Sequence, residues 1–339
     1  MMRMGMRRSA AALTLVMAVG LTAGAAAPEA APLPSAPACP VFPAGNVWNQ
    51  DISALPVASD SDTLIAKIGL DTGLHPDFGS YRGYGIPYNT VPGSQRKLTV
   101  RFDYSSQSDH VGYPIPRRPR IEAGSDHHML IVDSGTCKLY EMWNVRHTRR
   151  GWRAGSDRHM ILVDKDNCRL YELFAAKHTS TGWQAGSGAV WDMRSDHLRP
   201  DGWTSADAAG LPILPGLVRG SEVKAGVIDH ALRFTVPHTC AGHIYPARHD
   251  AGSGSCAALP PMGMRVRLRA SFDLSQLSPQ ARVIGQALKT YGMILADNGS
   301  SWYVSGYSSS LFDDDDLRTL NRITGDDLEV VDTSGLVNG

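Results

Sequence analysis

The chain has 339 residues, and its 33 basic side chains balance its 33 acidic ones. Without the N-terminal segment described next, which carries three arginines and no acid, the balance becomes 33 − 3 = 30 basic against 33 acidic residues, a net charge of about −3. Such a chain lacks the basic footprint of a nucleic-acid-binding protein, and it has no polybasic run that would favour a membrane surface. These two partner classes are therefore excluded.

The N-terminal segment 1–27 has the form of a secretory signal peptide. Three arginines precede an apolar run from Ala10 to Ala23, and small residues follow it. This run is shorter than the roughly 20 residues of a membrane span, and no later segment reaches that length. Residues 28–42 are rich in Ala and Pro and predict a tether without a core. We therefore expect a secreted protein with no membrane span, whose single domain covers residues 43–335.

A tandem duplication lies inside this domain. Residues 124–154 and 155–185 match at about half of their positions when aligned. Each copy predicts a β-hairpin, because an apolar run ending in Asp is followed by turn residues and a second run rich in β-formers. A copy inherits its residues before selection acts on them, so the matching residues do not by themselves indicate a site.

The second copy nevertheless contains a candidate general acid. On its returning strand Glu172 shares a face with Leu170 and Phe174, so desolvation is expected to raise the pKa of its carboxyl group. The alternative is an edge strand with Glu172 exposed to solvent.

Whether His159 joins Glu172 depends on the register of this hairpin. If Asp164 pairs with Arg169 across a four-residue loop, His159 lies diagonally beside Glu172 on the same face. With a three-residue loop, Met160 takes that place and His159 points away.

Further strands are predicted along the chain. Residues 97–104 alternate cleanly, and residues 228–236 place His230 on an apolar face, where it becomes a candidate proton shuttle if a carboxylate meets it. Residues 264–274 place Arg265, Arg267 and Arg269 in a row. This row predicts either a grip on an acidic polymer or, as is more usual, a solvated outer face crossed by acids of a neighbouring strand.

Turn and helix signals complete the prediction. Residues 293–306 predict a hairpin that turns at Asp297-Asn298-Gly299. Helices are predicted over residues 61–69, from Pro279 with Ser278 as N-cap, at the acidic run 313–316, and over 204–210 with Asp207 in a capping box. In an exported protein cysteines favour disulfides, and Cys240 with Cys256 is the best pair. The fold class is therefore mainly β, a two-sheet sandwich-like domain with a few short helices.

The irregular stretch from Trp191 to Gly220 is a candidate binding region. Its Trp191 and Trp203 lie in the sequence near Arg199 and near three acids, Asp192, Asp196 and Asp201. Tryptophans beside carboxylates suit a sugar ring, because an indole stacks on the apolar face of the sugar while the acids bind its hydroxyl groups. The alternative is a long loop that its tryptophans pin to the core. Zinc-helix, nucleotide-loop and serine-elbow motifs are absent, so we expect no metal and no cofactor.

Several segments together resemble a family of exported, functionally uncharacterised proteins common in actinobacteria. They include CPVFPAGNVWN, LHPDFGS, GIPYNTVPGSQ, DGWTSADAAGLPILPGLVR, PPMGMRVRLRASFD and LKTYGMILADNGSSWYVSG. The resemblance runs from Cys39 to about Val331 and implies export. It assigns no catalytic residues, and members of that family usually carry the hairpin once.

These observations lead to a hypothesis with two forms. The first is a secreted monomer that binds and hydrolyses extracellular or cell-wall polysaccharide, with Glu172 as acid, Asp192 as its partner and His159 or His230 as the tuning group. The second form binds carbohydrate or associates with the wall through Trp191, Trp203 and Arg199, without catalysis.

Overall fold

The computed structural model describes residues 31–336 except 82–83, 93, 103–104, 119–128, 134–137, 144–158, 165–168, 175–176, 180–181 and 186. For residues 89–90, 100–102, 129–133, 138–143, 159–164, 169–174, 177–179 and 182–185 the description covers the backbone alone. Within these ranges, each helix is too short or too polar to cross a lipid bilayer.

The described part of the chain contains sixteen β-strands and four α-helices. The strands are β1 His75–Asp77, β2 Tyr88–Val91, β3 Leu98–Phe102, β4 Gly112–Tyr113, β5 Met129–Asp133, β6 Lys138–Trp143, β7 His159–Asp164, β8 Arg169–Phe174, β9 Lys177–Thr179, β10 Gly182–Ala185, β11 Ser187–Asp192, β12 Leu232–Val236, β13 Arg265–Leu268, β14 Met293–Asn298, β15 Tyr303–Ser305 and β16 Leu328–Val330. The helices are α1 Ser61–Ile68, α2 Gly220–Ala225, α3 Pro279–Thr290 and α4 Asp314–Leu317.

The strands form three sheets. One has six strands in the order β1-β15-β12-β14-β13-β16, and a second has the order β11-β8-β6-β7-β5-β2, with an additional direct pairing of β7 and β8. A four-stranded sheet has the order β4-β3-β10-β9. All three mix parallel and antiparallel pairs. The β-rich part of the predicted fold, with a few short helices, is confirmed.

The main hydrophobic core lies between the first sheet and the helices. Its members come from β12, β13 and β14, from α1, and from the apolar face of α3, which packs against β13. A second cluster joins residues 33–42 to β11 and to residues 206–217. Residues 33–42, predicted to be a tether, are thus partly packed against the domain.

Three of the four predicted helices form. Ser278 and Pro279 stand at the predicted N-cap and first position of α3, but the N–H groups of Gln280 and Ala281 donate to the carboxylate of Asp316. Asp313 caps α4 in the same way, so the acidic run serves two helix N-termini. Residues 204–210 form turns rather than a helix, which corrects the predicted capping role of Asp207.

The two copies of the duplicated unit pair with each other in register. Met129–Asp133 runs parallel to Met160–Asp164, and β6 runs parallel to β8, so that each residue lies opposite its own counterpart in the other copy. Within the second copy β7 and β8 form the predicted hairpin. The first copy pairs differently, because β5 and β6 both pair with β7.

The predicted hairpin over residues 293–306 is wrong. Strand β12 lies between β14 and β15, parallel to the first and antiparallel to the second. The turn chemistry after Asp297 is real, but the chain crosses the end of β12 there instead of folding back on β14. Local signals do not reveal a strand that is inserted from a distant segment.

The row of arginines on and after β13 is buried at Arg265 and Arg267, while Arg269 is partly exposed. The predicted acid of a neighbouring strand is present, because Glu329 of β16 binds both Arg267 and Arg269, and the buried guanidinium groups cannot grip an acidic polymer. Arg265 is fully buried and donates to the carbonyl oxygens of Val47 (2.8 Å), Gln50 (3.0 Å) and Tyr291 (2.8 Å). Arg267 binds Glu329 (2.7 Å) and three carbonyl groups of residues 52–55. The segment 47–55 therefore crosses this side of β13 and is held by the guanidinium groups.

The predicted disulfide between Cys240 and Cys256 is present, with the Cα atoms 4.9 Å apart. Cys39 is also disulfide-bonded. Its partner lies outside the described residues, because the described Cys240 and Cys256 bond to each other.

Candidate functional site

The register of the second-copy hairpin is the one with a four-residue loop. Asp164 pairs with Arg169, and Ile161 pairs with Glu172. This register places His159 on the same side of the ladder as Glu172, as the four-residue alternative predicts. The side chains of both strands lie outside the described residues.

The ladder separates Glu172 from Asp192, the carboxylate predicted to be its partner. Glu172 pairs with Ala189 of β11, whereas Asp192 pairs with Arg169, three positions further along. Paired residues share a face and successive residues alternate, so an odd offset puts Glu172 and Asp192 at positions on opposite faces of the sheet. The described backbone therefore does not support the predicted pair of carboxylates around one glycosidic bond.

His230 does meet a carboxylate, but in the protein interior. Its Nε2 atom lies 3.3 Å from Glu222 Oε1, and its Nδ1–H donates to the carbonyl oxygen of Ala231 at 2.8 Å. Arg219 binds the same glutamate and also donates to Ala31 O at 3.2 Å. The side chain of His230 is fully buried. It is therefore a core residue that ties α2 to β12, which argues against its predicted role as a tuning group beside Glu172.

The three side chains predicted to bind sugar lie together. The guanidinium carbon of Arg199 stands 5.5 Å from the ring centre of Trp191 and 5.2 Å from that of Trp203. Arg199 also donates to Asp109 Oδ2 and to the carbonyl oxygen of Gln107, each at 2.7 Å. Trp191 is only 4% exposed and Trp203 is half-buried. Arg199 thus covers one face of each of the two indole rings. Of the two, Trp203 is the ring that reaches the surface.

Asp201, one of the acids noted near Trp203 in the sequence, belongs to a cluster of charged side chains whose other members the sequence did not indicate. His243 stands between two carboxylates, with Nε2 3.0 Å from Asp201 Oδ1 and Nδ1 3.3 Å from Asp250 Oδ1. Arg248 Nη2 lies 3.3 Å from the same Asp201 oxygen. The side chain of Asp201 is 68% exposed, so its carboxylate group is open to solvent. We call Asp201, Trp203, His243, Arg248 and Asp250 the loop site.

The loop site is held by its backbone. Gly202 N–H donates to Arg248 O at 2.7 Å, and the Arg248 side chain donates to Arg199 O at 3.0 Å. The disulfide from Cys240 to Cys256 closes the segment that carries His243, Arg248 and Asp250. These contacts join two loops that are distant in the sequence, which explains why sequence spacing did not reveal the site.

The hydrogen bond from His243 lowers the pKa of Asp201 below its ordinary value, and the nearby charge of Arg248 lowers it further. The carboxylate form is therefore favoured in the folded protein. Its stabilising contribution is present at a pH above the ordinary pKa of an Asp, and it is lost as the pH falls through the lowered pKa.

Replacing His243 with alanine is expected to raise the pKa of Asp201 toward its ordinary value, because the main hydrogen-bond donor is gone. A carboxyl NMR titration measures the change. Asp273 is the internal control, since Ser275 lowers its pKa at an independent place. An unchanged pKa of Asp201 in His243→Ala would contradict the described geometry.

Beneath the loop region lies a buried ionic network. Arg233 binds both carboxylate oxygens of Asp207 at 2.9 Å, Asp297 at 3.0 Å and the hydroxyl group of Ser305 at 2.6 Å. Asp207 is therefore a core partner of Arg233 rather than the helix cap that its sequence context predicts. The network fixes the loop 204–210 to β12 and β15.

The described residues thus bring Trp191, Trp203 and Arg199 together and add the acids and histidine of the loop site. In this part of the chain, no three His, Cys, Asp or Glu side chains are grouped in a way that could hold a metal ion. No protein-family model, no curated protein and no solved structure matches the chain.

Proposed function

We propose that the protein is exported and binds extracellular or cell-wall polysaccharide through the loop site, without cleaving it. The observation that carries this proposal is the exposed carboxylate of Asp201, which His243 and Arg248 orient and which lies two residues before the half-buried Trp203 in the chain. A fixed carboxylate accepts hydrogen bonds from sugar hydroxyl groups, and an indole edge or face packs against the apolar side of the sugar ring.

The rigidity of the loop site also supports binding. Its side chains are held in place by one another, by backbone hydrogen bonds and by a disulfide, so little conformational entropy remains to be lost when a ligand binds. Loops carried on a firm β-scaffold are common places for recognition.

The non-catalytic form of the hypothesis fits the described residues better than the hydrolytic form. Hydrolysis of a glycosidic bond needs two carboxyl groups about 5–10 Å apart with the sugar between them. Asp201 and Asp250 both bind the ring of His243, which fills the space between them. Glu172 and Asp192 belong to opposite faces of their ladder.

Export is supported by the N-terminal sequence pattern, by the use of cysteines in disulfides and by the resemblance to exported proteins. A sandwich-like packing of the sheets and a monomeric state remain part of the proposal.

A binding assay tests the proposal. The purified protein is mixed with insoluble chitin, cellulose and peptidoglycan, and the protein left in solution is measured as a function of total protein. We expect retention by at least one polymer, and a loss of about tenfold or more in affinity for Trp203→Ala and for Asp201→Asn.

Matched variants control this assay. Asp60→Asn makes the same carboxylate-to-amide change at an exposed position whose side chain makes no cap hydrogen bond, and it should bind like the wild type. Trp203→Phe keeps an aromatic ring and should lose less affinity than Trp203→Ala. If Asp201→Asn and Trp203→Ala bind as tightly as the wild type, the loop site is not the binding site.

A further inference from the structure

Tyrosines concentrate at one edge of the first sheet. Five of the eleven tyrosines of the chain lie in the segments 75–88 and 303–308. Tyr81 is 70% exposed, and the other four are half-exposed. We call these five residues and His75 the tyrosine band; they are Tyr81, Tyr84, Tyr88, Tyr303, Tyr307 and His75.

Two ring pairs and one hydrogen bond organise the band. His75 stacks on Tyr303 with ring centres 4.1 Å apart, and Tyr88 packs on Tyr307 at 4.4 Å. Tyr84 donates its hydroxyl proton to the carbonyl oxygen of Pro76 at 3.0 Å, so at 3.1 Å it accepts from His75 Nε2–H. Burial lowers the pKa of His75, which keeps this ring neutral near pH 7.

The two ring pairs are spread along the sheet edge. Strand β1 runs parallel to β15, with His75 opposite Tyr303 and Asp77 opposite Ser305. Tyr307 lies four residues after Tyr303, about 13 Å further along an extended chain. The segment that carries Tyr84 and Tyr88 follows the same path, because Ile86 N–H donates to Gly306 O at 2.8 Å. The two ring pairs are therefore separated along the sheet rather than gathered at a single spot.

This surface rests on rigid packing. Phe78 is buried against Gly306, where any side chain on the glycine would overlap the phenyl ring, and it packs on Phe312 at 5.0 Å. The hydroxyl group of Ser305, at the end of β15, binds the buried Arg233 at 2.6 Å. A band built in this way presents its rings without a large ordering cost.

The chemistry of the band favours a sugar chain over a protein partner. The large apolar side chains of these two segments, Phe78, Ile86 and Val304, are all buried. Among the described residues of these two segments, aromatic rings and hydroxyl groups reach the surface, with Asp77 half-buried beside them. Tyrosine combines an apolar ring with a polar tip, which suits the alternating CH faces and hydroxyl groups of a glycan.

We propose that the tyrosine band is a second contact surface for the polysaccharide, one that engages several sugar units of an extended chain. This inference rests on the proposed function and assigns a separate surface to the same ligand class. A polymer that binds both the loop site and the band gains affinity through effective concentration, whereas a disaccharide occupies one surface at a time.

The test compares polymer with disaccharide on variants of each surface. The polymers are insoluble chitin, cellulose and peptidoglycan, and the disaccharides are chitobiose and cellobiose, with binding followed by depletion and by NMR titration. We expect the double variant Tyr81→Ala/Tyr307→Ala to lose about tenfold in affinity for the polymer while the disaccharide affinity of the loop site stays unchanged. Trp203→Ala should weaken the binding of both the polymer and the disaccharide.

Controls separate a lost contact from a lost fold. Tyr81→Phe/Tyr307→Phe keeps both rings and should retain most of the polymer affinity, and urea unfolding checks that each variant is folded. In wild-type protein with ¹³C-labelled tyrosine, chitin or cellulose oligosaccharides of six units should shift the ring signals of Tyr81, Tyr303 and Tyr307.

Each outcome decides. If Tyr81→Ala/Tyr307→Ala binds the polymer as tightly as the wild type and the ring signals do not shift, the proposal for the tyrosine band is overturned. Polymer binding that depends on the band but not on Trp203 would support the band and contradict the loop site. If the wild type binds none of these polymers or oligosaccharides, both proposals fail.

Discussion

Replacing Arg233 with methionine is expected to lower the free energy of unfolding by about 3–5 kcal/mol. Arg233 occupies both carboxylate oxygens of Asp207, which is buried, and it also binds Asp297 and Ser305. Methionine fills much of the same volume but leaves the carboxylate of Asp207 unpaired in the interior. An isolated buried charge is costly, so the variant loses more than the net contribution of the original pair.

Equilibrium unfolding in urea measures this loss. The control is Arg269→Met, since the guanidinium of Arg269 is 37% exposed and its pairs with Glu329 and Asp62 should contribute less than about 1 kcal/mol. Adding Asp207→Asn to Arg233→Met removes the orphaned charge, so the double variant should lose less than the sum of the two single changes. Equal losses for Arg233→Met and Arg269→Met would refute the buried network.

Arg265→Met is expected to be the second most damaging single change, at about 3 kcal/mol or more. Within the described residues, no carboxylate contacts the guanidinium group of Arg265. The group instead donates to the backbone carbonyls of Val47, Gln50 and Tyr291. Burial lowers its pKa to about 9, so the interior disfavours the charge and the hydrogen bonds provide the stabilisation. Without them, the buried carbonyl groups of Val47 and Tyr291 and the part-buried one of Gln50 lose this donor.

The variant Arg265→Lys separates the contribution of the positive charge to stability from that of the hydrogen bonds. Arg265→Lys keeps a positive charge, but its compact ammonium group cannot span the same carbonyls as a planar guanidinium, so we expect a loss nearly as large as with methionine. Hydrogen exchange locates the damage, because Ile52 N–H donates to Thr290 O at 2.8 Å and should lose protection first. A lysine variant as stable as the wild type would show that the charge alone suffices.

The environment of Arg265 and Arg267 could not be predicted from the sequence, although several local features of the fold could. Helices α1, α3 and α4, the pairing of Cys240 with Cys256 and the presence of the second hairpin follow from local rules of capping, cysteine use and alternation. The same rules left two registers open for that hairpin. Alternation also predicts that Arg265 and Arg267 face outward, and so they do relative to the main core. The segment 47–55, which lies near the start of the domain and far from these arginines in the sequence, covers that outer face.

The candidate site was hidden for the same reason. Trp191, Trp203 and Arg199 were recognised as a group because they are close in sequence, and they do lie together. The pairing of His243 with Asp201 and Asp250 joins two loops, and the tyrosine band joins a segment near the start of the domain to one near its end. Neither has a local signature that composition or periodicity detects.

The in-register pairing of the duplicated strands also affects how this chain can change in length. An accidental insertion as long as a whole hairpin unit usually disrupts a domain. Here β7 pairs with β5 and β8 pairs with β6, each residue opposite its counterpart in the other copy, so the two copies share one alternation of faces. The duplicated strands take positions inside the sheet, between β11 and β2. A genetic event at the repeated Ala-Gly-Ser junction therefore adds or removes whole hairpins, and size variants of this protein should differ in steps of one unit rather than residue by residue.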